Sequence, residues 1–149
     1  MKPAPRPRAE RREHALRRLG EDLDCWVASA DEVGTAHLAP FSHYWDGSTI
    51  VLAMPPANRT AVNLLRARRA RIALDGTRDV VLVDGTVEAG VDEETQEAYV
   101  RVSGWDPRTE PSEYMWLRVT PTRIQAWREA NELPGRTLMR DGEWLPSGD

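Results

Sequence analysis

Asn58-Arg59-Thr60 places an amide, a guanidinium and a hydroxyl in three successive positions, directly after the apolar run at 49–54. Asn is a favoured helix N-cap. A helix opening there presents unpaired N–H groups and a partial positive charge to whatever lies ahead of it. With the Arg59 and Thr60 side chains added, these positions suit a phosphate group. They equally suit an ordinary capped helix with a surface arginine, and both readings stay open on these residues alone. Arg59, Arg66, Arg68, Arg69 and Arg71 all fall in a stretch with no acidic residue between Asp46 and Asp75.

Other chemistries find less support. The three histidines, His14, His37 and His43, lack a third ligand at zinc-site spacing: His37 and His43 share a strand face, but no acid or cysteine lies between them. Cys25 is the single cysteine, so it forms no internal disulfide, and its apolar setting beside Trp26 reads as a small buried residue. The sequence has no Gly-x-Ser-x-Gly elbow, P-loop, Gly-x-Gly-x-x-Gly or Cys-x-x-Cys pattern. The 24 acidic residues fall mostly in turns and on helix surfaces, and no glycosidase-like pair stands out.

The elements that must position these residues come from a chain of 149 residues, 40% apolar, with net charge −4. That is one domain's worth of chain, since single cores are built from roughly 100–150 residues. No window approaches the roughly 18–20 apolar residues of a membrane-spanning helix, and the start has no apolar core of a secretory signal, so the expected location is cytoplasmic. Residues 1–20 carry net +5 and the remaining chain −9. We read 1–20 as a basic, Pro/Arg-rich arm running into a solvated helix over 10–19 that packs only Leu16 and Leu19, and 21–149 as a single domain. A nucleic-acid role for the arm is the weaker reading, because no aromatic RNA-binding motif accompanies it.

Strands are expected at 23–30, 35–45 and 49–54, joined by Gly34 and Asp46-Gly47 turns into an antiparallel meander. Pro40 puts the second at an edge or a bulge. A helix over 59–68 follows, with Ala61, Val62, Leu64 and Leu65 as its apolar stripe. Strands at 71–74 and 79–87 precede a helix at 93–102, capped by Asp92, whose inner face is Ala98, Tyr99 and Val102. Strands at 113–120 and 122–127 and a short piece at 136–145 complete the chain. The fold class is mainly β: a closed or partly closed barrel of about six to seven antiparallel strands with flanking helices.

In this order, Cys25-Trp26-Val27-Ala28-Ser29-Ala30-Asp31, His37-Leu38-Ala39-Pro40-Phe41-Ser42, Trp45-Asp46-Gly47 and Asn58-Arg59-Thr60-Ala61-Val62-Asn63-Leu64 resemble the pyridoxamine 5′-phosphate oxidase-like, flavin-binding split β-barrels. The Val-rich strand at 79–87 fits the same pattern, so the resemblance spans about residues 22–128. It implies FMN as cofactor, with Arg59 and Thr60 on its phosphate, Asn58 where the family often has Ser, and Asn63 in the following helix. Pro40, Phe41, Ser42, Ala53 and Met54 would line the flavin ring. It also implies a homodimer with the cofactor at the subunit interface, which the six tryptophans would suit. Arg136-Thr137-Leu138-Met139-Arg140 resembles the Arg-Leu-His-Asp-Arg of the true oxidases, but Leu138 stands for the substrate-binding His and Met139 for the Asp. The expected activity is therefore an FMN-dependent oxidoreductase of unassigned substrate, with His37, His43 and Tyr44 as candidates to move a proton. The deazaflavin coenzyme F-420 is the alternative if Arg66, Arg68 and Arg69 face the groove. A flavin- or haem-binding carrier without turnover is the reading from another class.

Overall fold

Residues 50–54 form a strand buried on both faces (β4, Ile50–Met54), and the rest of the chain covers those faces. The computed structural model describes residues 2–147; Met1 and residues 148 and 149, at the ends of the two expected segments, lie outside the described residues. Helix α1 (Arg8–Glu21) leads into β1 (Asp24–Ala30), β2 (Ala36–Ser42), β3 (Tyr44–Trp45) and β4. Helix α2 (Arg59–Ala67) is followed by β5 (Arg69–Leu74), β6 (Val80–Ala89) and α3 (Glu93–Ser103). β7 (Met115–Trp127), β8 (Thr137–Arg140) and β9 (Glu143–Trp144) complete the elements. The strands form one antiparallel sheet in the order β2-β1-β5-β6-β7-β4-β3, with β8 on β7 and β9 on β8. The sheet curls into a half-barrel flanked by three helices, the split β-barrel architecture.

Two expectations are corrected. The first three strands do not form a meander: β2 lies at one end of the sheet order and the β3–β4 hairpin at the other. The break falls at His43: its backbone N–H still donates to Leu23 O at 2.9 Å, in register with the β1–β2 pairing, and the next residue, Tyr44, already pairs with Val51 of β4. Pro40 does sit on an edge strand, opposite Trp26. The two strands expected around Pro121 are one, β7, thirteen residues long. Pro121 is accommodated by an irregularity in β7 itself: Asp84 pairs with Arg123 and Gly85 with Pro121, so Thr122 is the extra residue between them. β7 then serves two neighbours on its other side, β4 along residues 115–119 and β8 along 124–125.

The main core joins both strand faces of the barrel interior, from Val27 and Ile72 through Leu52, Leu117 and Ile124, to Leu19 and Leu64 on the helices. A second cluster forms on the other face of β4, where Val51 and Ala53 meet Tyr99 of α3 and Trp116. Tyr99 packs edge-on against Trp116 at 5.0 Å and Trp105 at 6.2 Å. Val62 and Val102, expected inward, are exposed, so α2 and α3 bury narrower stripes than the sequence suggests.

The N-terminal segment is tied down. Arg6, Arg11 and Glu132 are 8%, 5% and 3% exposed. Arg6 donates Nη2–H and Nε–H to the two Glu132 oxygens at 2.7 and 2.9 Å, and its backbone N–H adds a third bond at 2.8 Å. Arg11 donates to the carbonyls of Arg6 at 2.9 Å and Glu132 at 2.7 Å. Helix α1 accordingly buries Arg11, Ala15 and Leu19, not the Leu16 and Leu19 pair alone. Among the described residues no helix is long and apolar enough to cross a membrane.

Two outcomes follow for stability. A Cβ on Gly85 would lie 2.5 Å from Thr120 O and 2.7 Å from a Val119 methyl. Gly85→Ala should therefore cost about 1–3 kcal/mol in urea unfolding, through forced backbone shifts. The Arg6 bonds hold the Glu132 carboxyl at about 2, below its ordinary 4.5. Because the folded value is the lower, this contribution is complete above pH 4.5 and is lost as pH falls toward 2. Glu132→Gln should cost about 3–5 kcal/mol at neutral pH, by stranding buried Arg6, and should flatten that stretch of the stability–pH curve.

Candidate functional site

Strand β4 hands the chain to α2 through Pro55-Pro56-Ala57. Asn58 then caps the helix: its Oδ1 accepts the Thr60 N–H at 2.9 Å, and its carbonyl accepts the Val62 N–H at 3.0 Å. The first turn of α2 contains no acidic residue, so no neighbouring carboxylate offsets the positive helix end. Arg59 is exposed and makes no hydrogen bond or ion pair among the described residues. Its charge reaches Asp31, whose carboxyl is held below the usual range, first by the Thr35 backbone N–H, then by that of Val33, with Arg59 a lesser cause.

Two side chains fix α2 against the end of β1. Buried Asn63 donates to Ser29 Oγ at 3.1 Å, and Arg66 donates to Ala30 O at 2.7 Å. Asn63 is thereby engaged in holding the helix. Thr60 is also inside the protein, and its Oγ1 is buried with no hydrogen-bond partner. Of the expected phosphate ligands, Arg59 is the one that stands open to an incoming anion; the Thr60 hydroxyl is buried.

The expected ring wall divides. Along β2 the side chains alternate: Phe41 pairs with buried Cys25 and packs on the core, while Pro40 and Ser42 pair with Trp26 and Asp24 on the outer face. Ala53 and Met54 also face opposite ways, Ala53 toward the Tyr99–Trp116 cluster and Met54 into the main core, and both are buried. What β4 offers is backbone. β3 pairs only with Ile50 and Val51, so the edge at 52–54 has no strand on that side among the described residues. The register puts the turn after β1, near which Arg59 sits, at one end of β2 and Ser42 at the other. Six residues of strand, roughly 20 Å, separate them. An extended ligand is needed to touch both.

The outer face of β1 and β2 holds residues that the sequence reading did not single out as a site. Trp26 is 40% exposed and Leu38 60%, and with Ala28 and Pro40 they form an apolar patch. The signal was present in the alternation of β1 and β2, but it needs their pairing register to be read. Of the other tryptophans, Trp105 and Trp116 belong to the α3 cluster and Trp144 lies under the Arg12 guanidinium at 4.2 Å.

The proton-moving candidates differ in position. His43 is buried, with Nε2 against Leu19 O at 3.1 Å and Nδ1 without a partner; burial pushes its pKa down, so it is a neutral residue of the interior. His37 and Tyr44 are half-buried. Cys25 is buried and its thiol is pushed up to about 12 by burial, so it stays protonated. Leu138 and Met139 are both buried in the core, and Arg136 donates to Leu133 O. A concavity of about 760 Å³ lies away from all the expected ligands, over β5, β6, β7 and the turn after β8.

The split barrel and the helix start that follows its inner strand define a family. The profile of the pyridoxamine 5′-phosphate oxidase family matches residues 13–128, most of the chain. The chain belongs to that family. Among solved structures it is similar to general stress protein 26 of Bacillus anthracis, at 13% identity and TM-score 0.62, covering 80% of this chain and 94% of that one. An F-420 reductase is similar at 17% identity and TM-score 0.59, covering 71% and 91%. A heme-binding protein of Mycobacterium smegmatis is similar at 15% and 0.67, covering 92% of this chain and 57% of that one. At these identities the likeness is one of fold. No curated protein matches.

The geometry separates Arg59 from Thr60 experimentally. If FMN seats its phosphate at this helix start, Arg59→Ala should weaken its affinity at least tenfold with an unchanged melting temperature, a loss of at least about 1.4 kcal/mol. Thr60→Val, which removes an unpartnered hydroxyl at nearly constant volume, should change that affinity less than threefold. Isothermal titration of both variants measures the ordering.

Proposed function

We propose that this chain is an FMN-dependent oxidoreductase, acting as a homodimer on a small molecule in the cytoplasm. The observation that carries the reading is Arg59. It is an unpartnered guanidinium at the positive start of α2, which follows directly from β4, whose buried residues 52–54 have no strand partner on the β3 side among the described residues. The helix end and Arg59 would hold the cofactor's phosphate by charge-assisted hydrogen bonds. The backbone of 52–54 and the outer side chains of β2 would orient the ring. The bound flavin supplies the hydride chemistry.

The protein's share of the reaction is then placement and exclusion of water. Burial of Cys25 and His43 keeps a thiol and an imidazole out of the reacting volume. His37 and Tyr44 are half-buried groups able to pass a proton. The apolar patch of Trp26, Ala28, Leu38 and Pro40 supports an interface with a second copy, because it offers contact area without charge. A dimer would shield a ligand lying along β2 from both sides.

FMN is favoured over deazaflavin by the positions of the arginines. Arg66 is engaged with Ala30 O, Arg69 lines the separate 760 Å³ concavity, and Arg68 caps the end of α2 opposite Arg59, so none of the three stands beside Arg59 free to meet the longer acidic tail. The titration that decides uses the full chain with FMN, F-420 and haemin in parallel. We expect saturable quenching of tryptophan fluorescence by FMN, with weaker binding of the other two and elution as a dimer. A clear preference for F-420 or haemin, or no FMN binding, overturns the assignment.

A further inference from the structure

We propose that the outer face of β5, β6 and β7, roofed at one side by the turn after β8, is a binding site for a small molecule carrying two or more linked phosphates. This site is independent of the flavin reading. The concavity there measures about 760 Å³ and is lined by Arg69, Arg71, Arg123 and Arg140, with Asp84 and Thr86 between them. The register builds it directly: Arg69 stands opposite Thr86, Arg71 opposite Asp84, and Asp84 opposite Arg123. The turn that brings Arg140 alongside is pinned by the Gly142 N–H donating to Thr122 O at 2.9 Å.

The charges are unevenly satisfied. Arg71 is committed to Asp84, with Nε 2.6 Å and Nη2 3.3 Å from its oxygens. Arg69, Arg123 and Arg140 make no hydrogen bond or ion pair among the described residues. Three open guanidiniums around one concavity, on a chain of net charge −4, concentrate positive potential where the rest of the surface opposes it. The volume falls within the roughly 300–1,000 Å³ of small-molecule sites.

Charge selects the class of anion. Arg69, Arg123 and Arg140 are three open guanidiniums spread over β5, β7 and the turn after β8. A single phosphate neutralises fewer charges than these three carry, whereas linked phosphates match them, each meeting a guanidinium fork. An extended nucleic-acid backbone is disfavoured because Asp84 and Asp141 interrupt the basic surface.

The test titrates the full chain with inorganic pyrophosphate, inorganic phosphate and single-stranded RNA, by calorimetry and thermal melting. We expect saturable pyrophosphate binding, at least tenfold tighter than phosphate. It should weaken at least tenfold in Arg123→Ala and again in the Arg123→Ala/Arg140→Ala pair, and stay unchanged in Arg59→Ala. These arginines are exposed, so unaltered circular dichroism is expected for each variant; Arg69→Gln provides an independent probe on another strand. Absence of pyrophosphate binding, binding lost in Arg59→Ala but kept in the Arg123/Arg140 pair, or tighter, salt-sensitive binding of RNA would each overturn the proposal.

Discussion

The pairing of β6 with β7 is the constraint on which the fold rests. β7 is long enough to be shared, giving its first half to β4 and its second to β8, so it links the buried strand that leads to α2 with the C-terminal hairpin. A strand of that length would flatten the sheet or tear it unless it bent. The bend is supplied where Pro121 meets Gly85: Pro121 contributes no N–H, and Gly85 has no Cβ to strike the Thr120 carbonyl. On the inner side of this bend lies the core, and on its outer side the arginine-lined concavity. One local irregularity thereby shapes two surfaces.

Helix α2 inherits its position from that sheet. β4 is held by β7 over residues 50–54, which fixes the place where the chain emerges, and Asn63 and Arg66 fasten the helix body to the end of β1. The start of α2 is thus presented by a rigid support, with Arg59 left free on it. The division of labour among neighbours is sharp: Asn58 closes the helix, Asn63 anchors it, and only Arg59 keeps its hydrogen-bonding capacity for something outside the chain.

Local chemistry was legible in the sequence where one or two residues decide it. Asn58 and Asp92 as caps, Asp46-Gly47 as a hairpin turn and Pro40 on an edge strand all act within a few residues. The resemblance in the order of motifs also gave the split-barrel class. Pairing was not legible. Nothing local to residues 35–45 says that one strand ends before His43 and the next, starting at Tyr44, pairs at the other end of the sheet order. Periodicity assigned Val62 and Val102 inward because it registers apolar character without knowing how wide a stripe the neighbours cover. The ring wall of Pro40, Phe41 and Ser42 failed to share a face for the simplest reason, since consecutive strand residues point oppositely. Charge misled at the N-terminus: Arg6 and Arg11 read as solvent-seeking, and only Glu132, 126 residues from Arg6 and 121 from Arg11, explains their burial.

That clasp also orders events in time. During synthesis, α1 emerges first, yet its buried arginines have no counter-ion until residue 132 has been made. By then the strands of the half-barrel through β7 are available to pair. The contact is among the longest in sequence separation, so its loop-closure cost is met only after shorter-range pairings have brought the ends together. The clasp of the first helix is therefore a late contact, and a chain halted before residue 132 would lack β8 and β9 as well as the counter-ion of its buried arginines.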